Sequence, residues 1–270
     1  MQTTANLWEV LCRDLEEMRT RTSTEQHRAA AERFREAAAQ VFRPGSPRLC
    51  DALEISGDVC QASGFLAEAA RDFEEALTQN LAIGATGAAA RVAAKLALLL
   101  DHMEKAGPAQ DSYLRALELF DADHDHTQHC MLLSNLAALE KRTGQLESAL
   151  SHYNEAIELA SRLYGEVHPE TALAFNNLGV AQTEAANWVE AENAHMRALG
   201  IREKLFGAMH PEVAQSLGNL AVVYHSSGNH QKAEAFYRAA LKTYNAFLAP
   251  GDPAIEHVTA NFEALKKSRK

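Results

Sequence analysis

Proline is scarce in this chain, with 7 residues in 270, so few points exist at which a long helix must break. Cysteine is scarcer still. Cys12, Cys50, Cys60 and Cys130 are scattered and form no CxxC pair, which excludes a disulfide framework and points to reduced thiols. Basic residues are in deficit, 26 Lys and Arg against 36 Asp and Glu, for a formal charge of −10. That balance lacks the basic footprint that nucleic acid and anionic membranes require, so neither is expected as a partner. Long apolar runs are missing too. No stretch of 18 apolar residues could span a bilayer. The first 25 residues carry Glu9, Arg13, Asp14, Glu16 and Glu17 and no apolar core of a signal peptide. The expected location is cytoplasmic. Catalytic signatures are also lacking: there is no GxxxxGK[ST], no GxGxxG opening a helix, no GxSxG and no HExxH. The chain therefore reads as a non-enzyme with no cofactor and no metal.

What is abundant is alanine. It occurs 50 times, in runs such as Ala29–Ala31, Ala37–Ala39 and Ala88–Ala90, within a composition that is 47% hydrophobic. Alanine has the highest helix propensity and little preference for strands, so the expected class is all-α, with helices packed closely through small side chains.

The alanines are periodic. His168-Pro169-Glu170 recurs as His210-Pro211-Glu212, a shift of 42, and the same shift reaches Asp252-Pro253-Ala254. It also maps Asn135-Leu136 onto Asn177-Leu178, Asn219-Leu220 and Asn261-Phe262. Within each unit the spacing follows the tetratricopeptide pattern of a helix-turn-helix repeat. One column of small residues reads Gly57, Ala97, Ala137, Gly179 and Ala221. A second reads Ala69, Ala109, Ala149, Ala191 and Ala233, and a third Ala76, Ala116, Ala156, Ala198 and Ala240. All fifteen are Ala or Gly, although these two types make up about a quarter of the chain, because helices approach to about 8 Å only where the contact residue is tiny. An aromatic column of Phe73, Tyr113, Tyr153 and Tyr237 fills the space between paired helices, with His195 as the exception, read as a core histidine.

Five repeats are expected over 50–247, beginning at Cys50, Ala90, Cys130, Ala172 and Ala214. Residues 1–43 read as an N-terminal helical pair, at about 5–19 and 24–42, a degenerate first repeat. Residues 253–270 read as a C-terminal capping helix whose Lys266-Lys267-Ser268-Arg269-Lys270 end suits a solvated last turn.

The run Ala198-Leu199-Gly200-Ile201-Arg202-Glu203-Lys204-Leu205-Phe206-Gly207, followed by His210-Pro211-Glu212-Val213-Ala214, resembles the 42-residue repeat of kinesin light chains and their prokaryotic relatives. The resemblance spans about 128–255 closely and 50–127 more loosely. No stretch sustains the heptads through which a kinesin light chain pairs with its motor, so a free-standing member of the wider family is expected. The resemblance implies a right-handed superhelical solenoid with a concave groove for extended peptides or partner helices. His-Pro-Glu has a structural reading: Gly165 and Gly207 end one helix, Pro169 and Pro211 open the next, and Glu170 and Glu212 favour its positive end.

First helices line the groove in this repeat class. The expected peptide-binding residues are Asn135, Asn177, Asn219 and Asn261, with Asn176 beside them, the small apolar Ala138, Val180 and Val222, and Lys141 and Arg142 further along. A side-chain amide offers both a donor and an acceptor, matching a peptide unit. The rival reading has these asparagines tie one repeat to the next. Asp51, Glu54 and Asp58 are expected to make the N-terminal groove acidic, with Arg91 and Lys95 following. The cluster Asp121 to His129 is read as a polar loop between repeats rather than a metal site, and Trp8 and Trp188 as packing residues. The Lys/Asn clamp that chaperone-docking repeats use for a terminal carboxylate is not reproduced.

The expected function is a protein-protein interaction scaffold or adaptor that binds an extended peptide or partner helix. The alternatives are a self-assembling structural protein, with homo-oligomers formed through the open ends, or a peptide-sensing regulatory receptor.

Overall fold

The structure is a computed structural model and describes residues 24–120 and 126–268. The expected helix at 5–19, Trp8, Cys12 and Asp121 to Asp125 lie outside the described residues. Within them the chain forms twelve helices and no strand. It divides into two units, residues 1–125 and 126–270. The first contains α1 (Thr24–Val41), α2 (Pro47–Ala62), α3 (Leu66–Ala82), α4 (Thr86–His102) and α5 (Ala106–Leu119). The second contains α6 (His126–Arg142), α7 (Leu146–Tyr164), α8 (Pro169–Glu184), α9 (Trp188–Phe206), α10 (Pro211–Ser226), α11 (His230–Phe247) and α12 (Pro253–Ser268). In each unit every helix packs on the next one in sequence. In the second, α6, α8, α10 and α12, the first helices of successive pairs, also meet side by side.

The small-residue columns are the contact lines. All ten alanines of the two second-helix columns are fully buried at 0% relative exposure, as are Ala97, Ala137 and Ala221 of the first-helix column. The aromatic column is buried with them, Phe73, Tyr113, Tyr153 and Tyr237 each at 2% or less. The two glycines of the first-helix column stand where the ring comes closest. A Cβ at Gly57 would lie 2.5 Å from Phe73 Cε1, and one at Gly179 would lie 2.6 Å from His195 Cε1. No side chain fits at either point.

Helix starts are set by caps. Pro47, Pro169, Pro211 and Pro253 each open a helix, where the missing N–H has no partner to lose. The residue before each of the middle two is itself the N-cap: His168 Nδ1 accepts from Glu170 N and His210 Nδ1 from Glu212 N, both at 3.2 Å. Each imidazole stacks on the last aromatic of the preceding helix, His168 on Tyr164 at 4.6 Å and His210 on Phe206 at 4.5 Å between ring centroids. One period later Asp252 takes the same place and accepts from Ala254 N at 2.9 Å. Gly165 and Gly207 end the preceding helices with φ of 87° and 81°.

The turn inside each pair has its own column. Gly64, Glu104, Gly144, Ala186 and Gly228 all adopt positive φ, between 58° and 85°. The bond that closes four of the five turns runs back five residues, as in Phe65 N to Cys60 O and Gln145 N to Glu140 O. Glu104 and Ala186 hold a left-handed conformation that costs a residue with a Cβ about 1–2 kcal/mol. Ala186→Gly is therefore expected to raise stability by about 0.5–1 kcal/mol and Gly228→Ala to lower it by about as much, measured by urea denaturation.

Candidate functional site

In the first unit the face built by first helices is locked by charge. Arg91 on α4 grips Glu54 on α2 with two bonds, Nε to Oε1 at 3.0 Å and Nη2 to Oε2 at 2.9 Å. Lys95 bonds both oxygens of Asp58, at 2.8 and 2.7 Å, and reaches Glu54 Oε1 at 2.9 Å. Burial alone would raise the Glu54 carboxyl, but the bonds from Arg91 and Lys95 outweigh it and hold the group below its ordinary range. This corrects the expectation of an acidic N-terminal groove. Of the three carboxylates Glu54 and Asp58 are neutralised by α4, and Asp51 stands beside them with its pKa raised by burial and by Glu54.

The second unit is different. Between α6 and α8 lies a hollow of about 530 Å³ with an apolar floor. Asn135, Ala138 and Asn177 stand on it with Met131 and Leu173, which are 57% and 45% exposed. Two smaller hollows follow along the same face, of about 370 Å³ between α10 and α12 and about 260 Å³ across α8, α10 and α12. Asn219, Val222 and Asn261 line both, and Val180 lines the smaller. Seven of the ten residues expected at the groove therefore stand on three hollows of one face.

The other three do not. Asn176 is buried at 7% exposure, and its Oδ1 accepts from Asn219 Nδ2 at 2.7 Å across the joint between α8 and α10. The asparagines therefore divide into two groups. Asn176 ties repeats together, while Asn135, Asn177 and Asn261 are half-buried amides with no hydrogen bond among the described residues. Asn219 makes the tie with its amide nitrogen, and its oxygen has no partner among the described residues. Lys141 is held by Glu184 at 2.7 Å, and Arg142 is exposed at the end of α6.

His195 is a residue whose importance the sequence only hinted at. It is 1% exposed, stands between Gly179 and the smallest hollow, and leaves Nδ1 buried without a partner. Burial, and next the Arg202 charge, push its pKa down to about 4. Arg202 is itself buried, donating to Ser216 Oγ at 2.8 Å and to Glu212 O at 3.1 Å and pairing with the Glu212 carboxylate at 3.1 Å. Among the described residues no cluster of three or more His, Cys, Asp or Glu side chains could hold a metal. No described helix is long and apolar enough to cross a membrane.

Residues 128–204 and 183–246 match the family profile of the tetratricopeptide repeat. The chain belongs to the tetratricopeptide repeat family. Residues 20–163, a little over half of its length, match the profile of soluble NSF attachment protein, and at the level of these repeats the chain belongs to that family as well. Among solved structures it is similar to BtubC (BKLC) from P. vanneervenii, at 29% identity over 86% of this chain and 95% of that one, with a TM-score of 0.65. The putative kinesin light chain repeats of Podosopora anserina share the fold at 15% identity over 72% and 93% of the two chains, TM-score 0.62. So does YrrB, a tetratricopeptide repeat protein with an unusual peptide-binding site, at 17% identity over 85% and 99%, TM-score 0.58. No curated protein matches.

In this tetratricopeptide repeat protein His195 replaces the aromatic of the fourth repeat, and the Gly57–Phe73 pair of the first shows what else the place accepts. A histidine whose folded pKa of about 4 lies below the ordinary value of about 6.5 binds its proton more weakly folded than unfolded. Stability is therefore complete above about pH 6.5 and falls as the pH drops towards 4, by roughly 3 kcal/mol over that window. His195→Phe is expected to remove this share of the acid sensitivity, flattening the urea midpoint between pH 6.5 and 4.

Proposed function

We propose that the chain is a non-catalytic adaptor that holds an extended peptide segment of a partner protein along α6, α8, α10 and α12. The observation that supports this most directly is the row of amides. Asn135, Asn177 and Asn261, and the oxygen of Asn219, recur once per repeat beside the hollows and have no partner within the described chain. A half-buried amide left open is poised to bond a peptide unit. First helices about 8–10 Å apart would meet an extended chain, rising about 3.3 Å per residue, at every third residue or so. Main-chain bonding of this kind needs no particular sequence, and the hollows between rungs would receive the side chains that confer selectivity.

The first unit supports the same reading by contrast. Its corresponding positions are occupied by the Glu54, Asp58, Arg91 and Lys95 lattice, so a peptide there would have to break three close ion pairs before forming any bond. The three described cysteines, Cys50, Cys60 and Cys130, are buried free thiols, which suits a reducing, cytoplasmic setting. YrrB, of the same fold, is described as having a peptide-binding site, which favours this class of ligand.

The test is a peptide-display selection on the intact chain, with the recovered peptides measured against variants. Asn135→Ala with Asn177→Ala is expected to leave the melting temperature within about 1 °C and weaken binding at least tenfold, about 1.4 kcal/mol. Asn219→Ala, by contrast, should also cost about 1 kcal/mol of stability, because it breaks the bond to Asn176. Peptides that bind the double variant as tightly as the parent would exclude the amide row as the binding surface.

A further inference from the structure

The hollow of about 260 Å³ differs from the other two in having a buried, unpaired polar group beneath it. His195 reaches it from α9, below the level of the first helices, with its ring wedged against Gly179 and Nδ1 without a partner. A buried ring nitrogen left unpaired is costly and rare in a native core. Burial and Arg202 keep the imidazole neutral near pH 7, where it carries one lone pair and adds no positive charge. The Arg202 charge is itself matched by Glu212 at 3.1 Å.

Three other polar groups of this hollow present acceptors to it, beside the open amide of Asn261. Asn219 gives one of its two side-chain N–H hydrogens to Asn176, and its amide oxygen has no partner among the described residues. Thr183 has given its hydroxyl hydrogen to Gly179 O at 2.7 Å and retains only lone pairs. Glu184 contributes a carboxylate, one oxygen of which is held by Lys141 Nζ at 2.7 Å while the other has no partner among the described residues. The walls between these groups are Val180 and Val222. The Asn219 oxygen, the Thr183 lone pairs and the second Glu184 oxygen, reached between two branched aliphatic side chains, are complementary to a long methylene stem ending in a cation.

We propose that this hollow seats a lysine or arginine side chain of the bound partner, its stem between Val180 and Val222 and its cation at Glu184 and the Asn219 oxygen. The reading rests on the peptide groove proposed above and names the side chain taken at one of its rungs. Lys141 then acts as a resident competitor: it occupies one Glu184 oxygen in the free protein and must share it when the partner's cation arrives. Asn261 and His257 of α12 close the far side, so the C-terminal helix is part of the binding surface as well as a cover for the last repeat.

The experiment is a nuclear magnetic resonance titration of the full chain with two matched probes, N-acetyl-lysine methylamide and N-acetyl-norleucine methylamide, which share the stem and differ in the cation. The lysine probe is expected to bind at least about fivefold more tightly, the scale of a partly exposed ion pair, with shifts centred on the Asn219 and Asn261 side-chain amides and the His195 ring. Glu184→Gln should abolish the preference, and Lys141→Met, which frees the carboxylate, should strengthen it. A merely structural Glu184–Lys141 pair would give the same loss from either variant. Equal binding of the two probes, absence of a lysine-dependent shift at these groups, or variants that change the preference in the same direction would overturn the proposal. Such a failure leaves the groove reading to be judged separately, since that depends on Asn135 and Asn177, which do not line this hollow.

Discussion

Everything in this molecule depends on how closely two helices can approach where their side chains meet. At each crossing the chain places alanine or glycine, and thirteen of the fifteen column residues are alanines with no exposed surface at all. Alanine removes little of its own conformational freedom on burial and permits backbone contact that a leucine would prevent. The larger rings, Phe73, Tyr113, Tyr153, His195 and Tyr237, then fill the one gap per pair that remains. Where the ring comes nearest, even a methyl group is too much and glycine takes over at Gly57 and Gly179.

Close packing along one edge of each helix has a consequence for the other edge. With cores formed by the columns, the faces of α6, α8, α10 and α12 that point away from the second helices hold residues the fold does not require. In the second unit those are amides, small aliphatic groups and the exposed Met131 and Leu173. In the first they are charges that close on one another from helix to helix. The same repeat therefore carries one face of open amides and aliphatic groups and one face already complemented from within.

Much of this was legible in the residues alone because the repeat writes its contacts at fixed intervals. The three small columns, the aromatic column and the helix-starting prolines each require one residue type at one spacing, and each is found where that spacing puts it. Other features depend on which neighbour a side chain meets, and spacing does not carry that. The cancellation of Glu54 by Arg91 joins residues 37 apart and exists only because α2 and α4 lie side by side. Of the adjacent pair Asn176 and Asn177, one faces the next helix and the other the hollow, a distinction of about 100° around the helix that composition cannot resolve. The histidines of His-Pro-Glu were legible as part of a joint but not as caps, since the bond uses a ring nitrogen in a place usually taken by Ser, Thr, Asp or Asn. Ala186 and Glu104 conceal a left-handed turn behind ordinary residues. The glycine column at 64, 144 and 228 was the signal that could have found them.

The role of the columns is tested most directly on α11, where Ala233 is fully buried at a crossing and Ala235, two residues on, is exposed. Leucine differs little from alanine in helix propensity, so the two substitutions differ only in what the side chain meets. If helix contact rests on tiny side chains, Ala233→Leu lowers the free energy of unfolding in urea by about 1–3 kcal/mol while Ala235→Leu changes it by less than about 0.5 kcal/mol. Equal effects from the two, or a stabilised Ala233→Leu, would contradict that dependence.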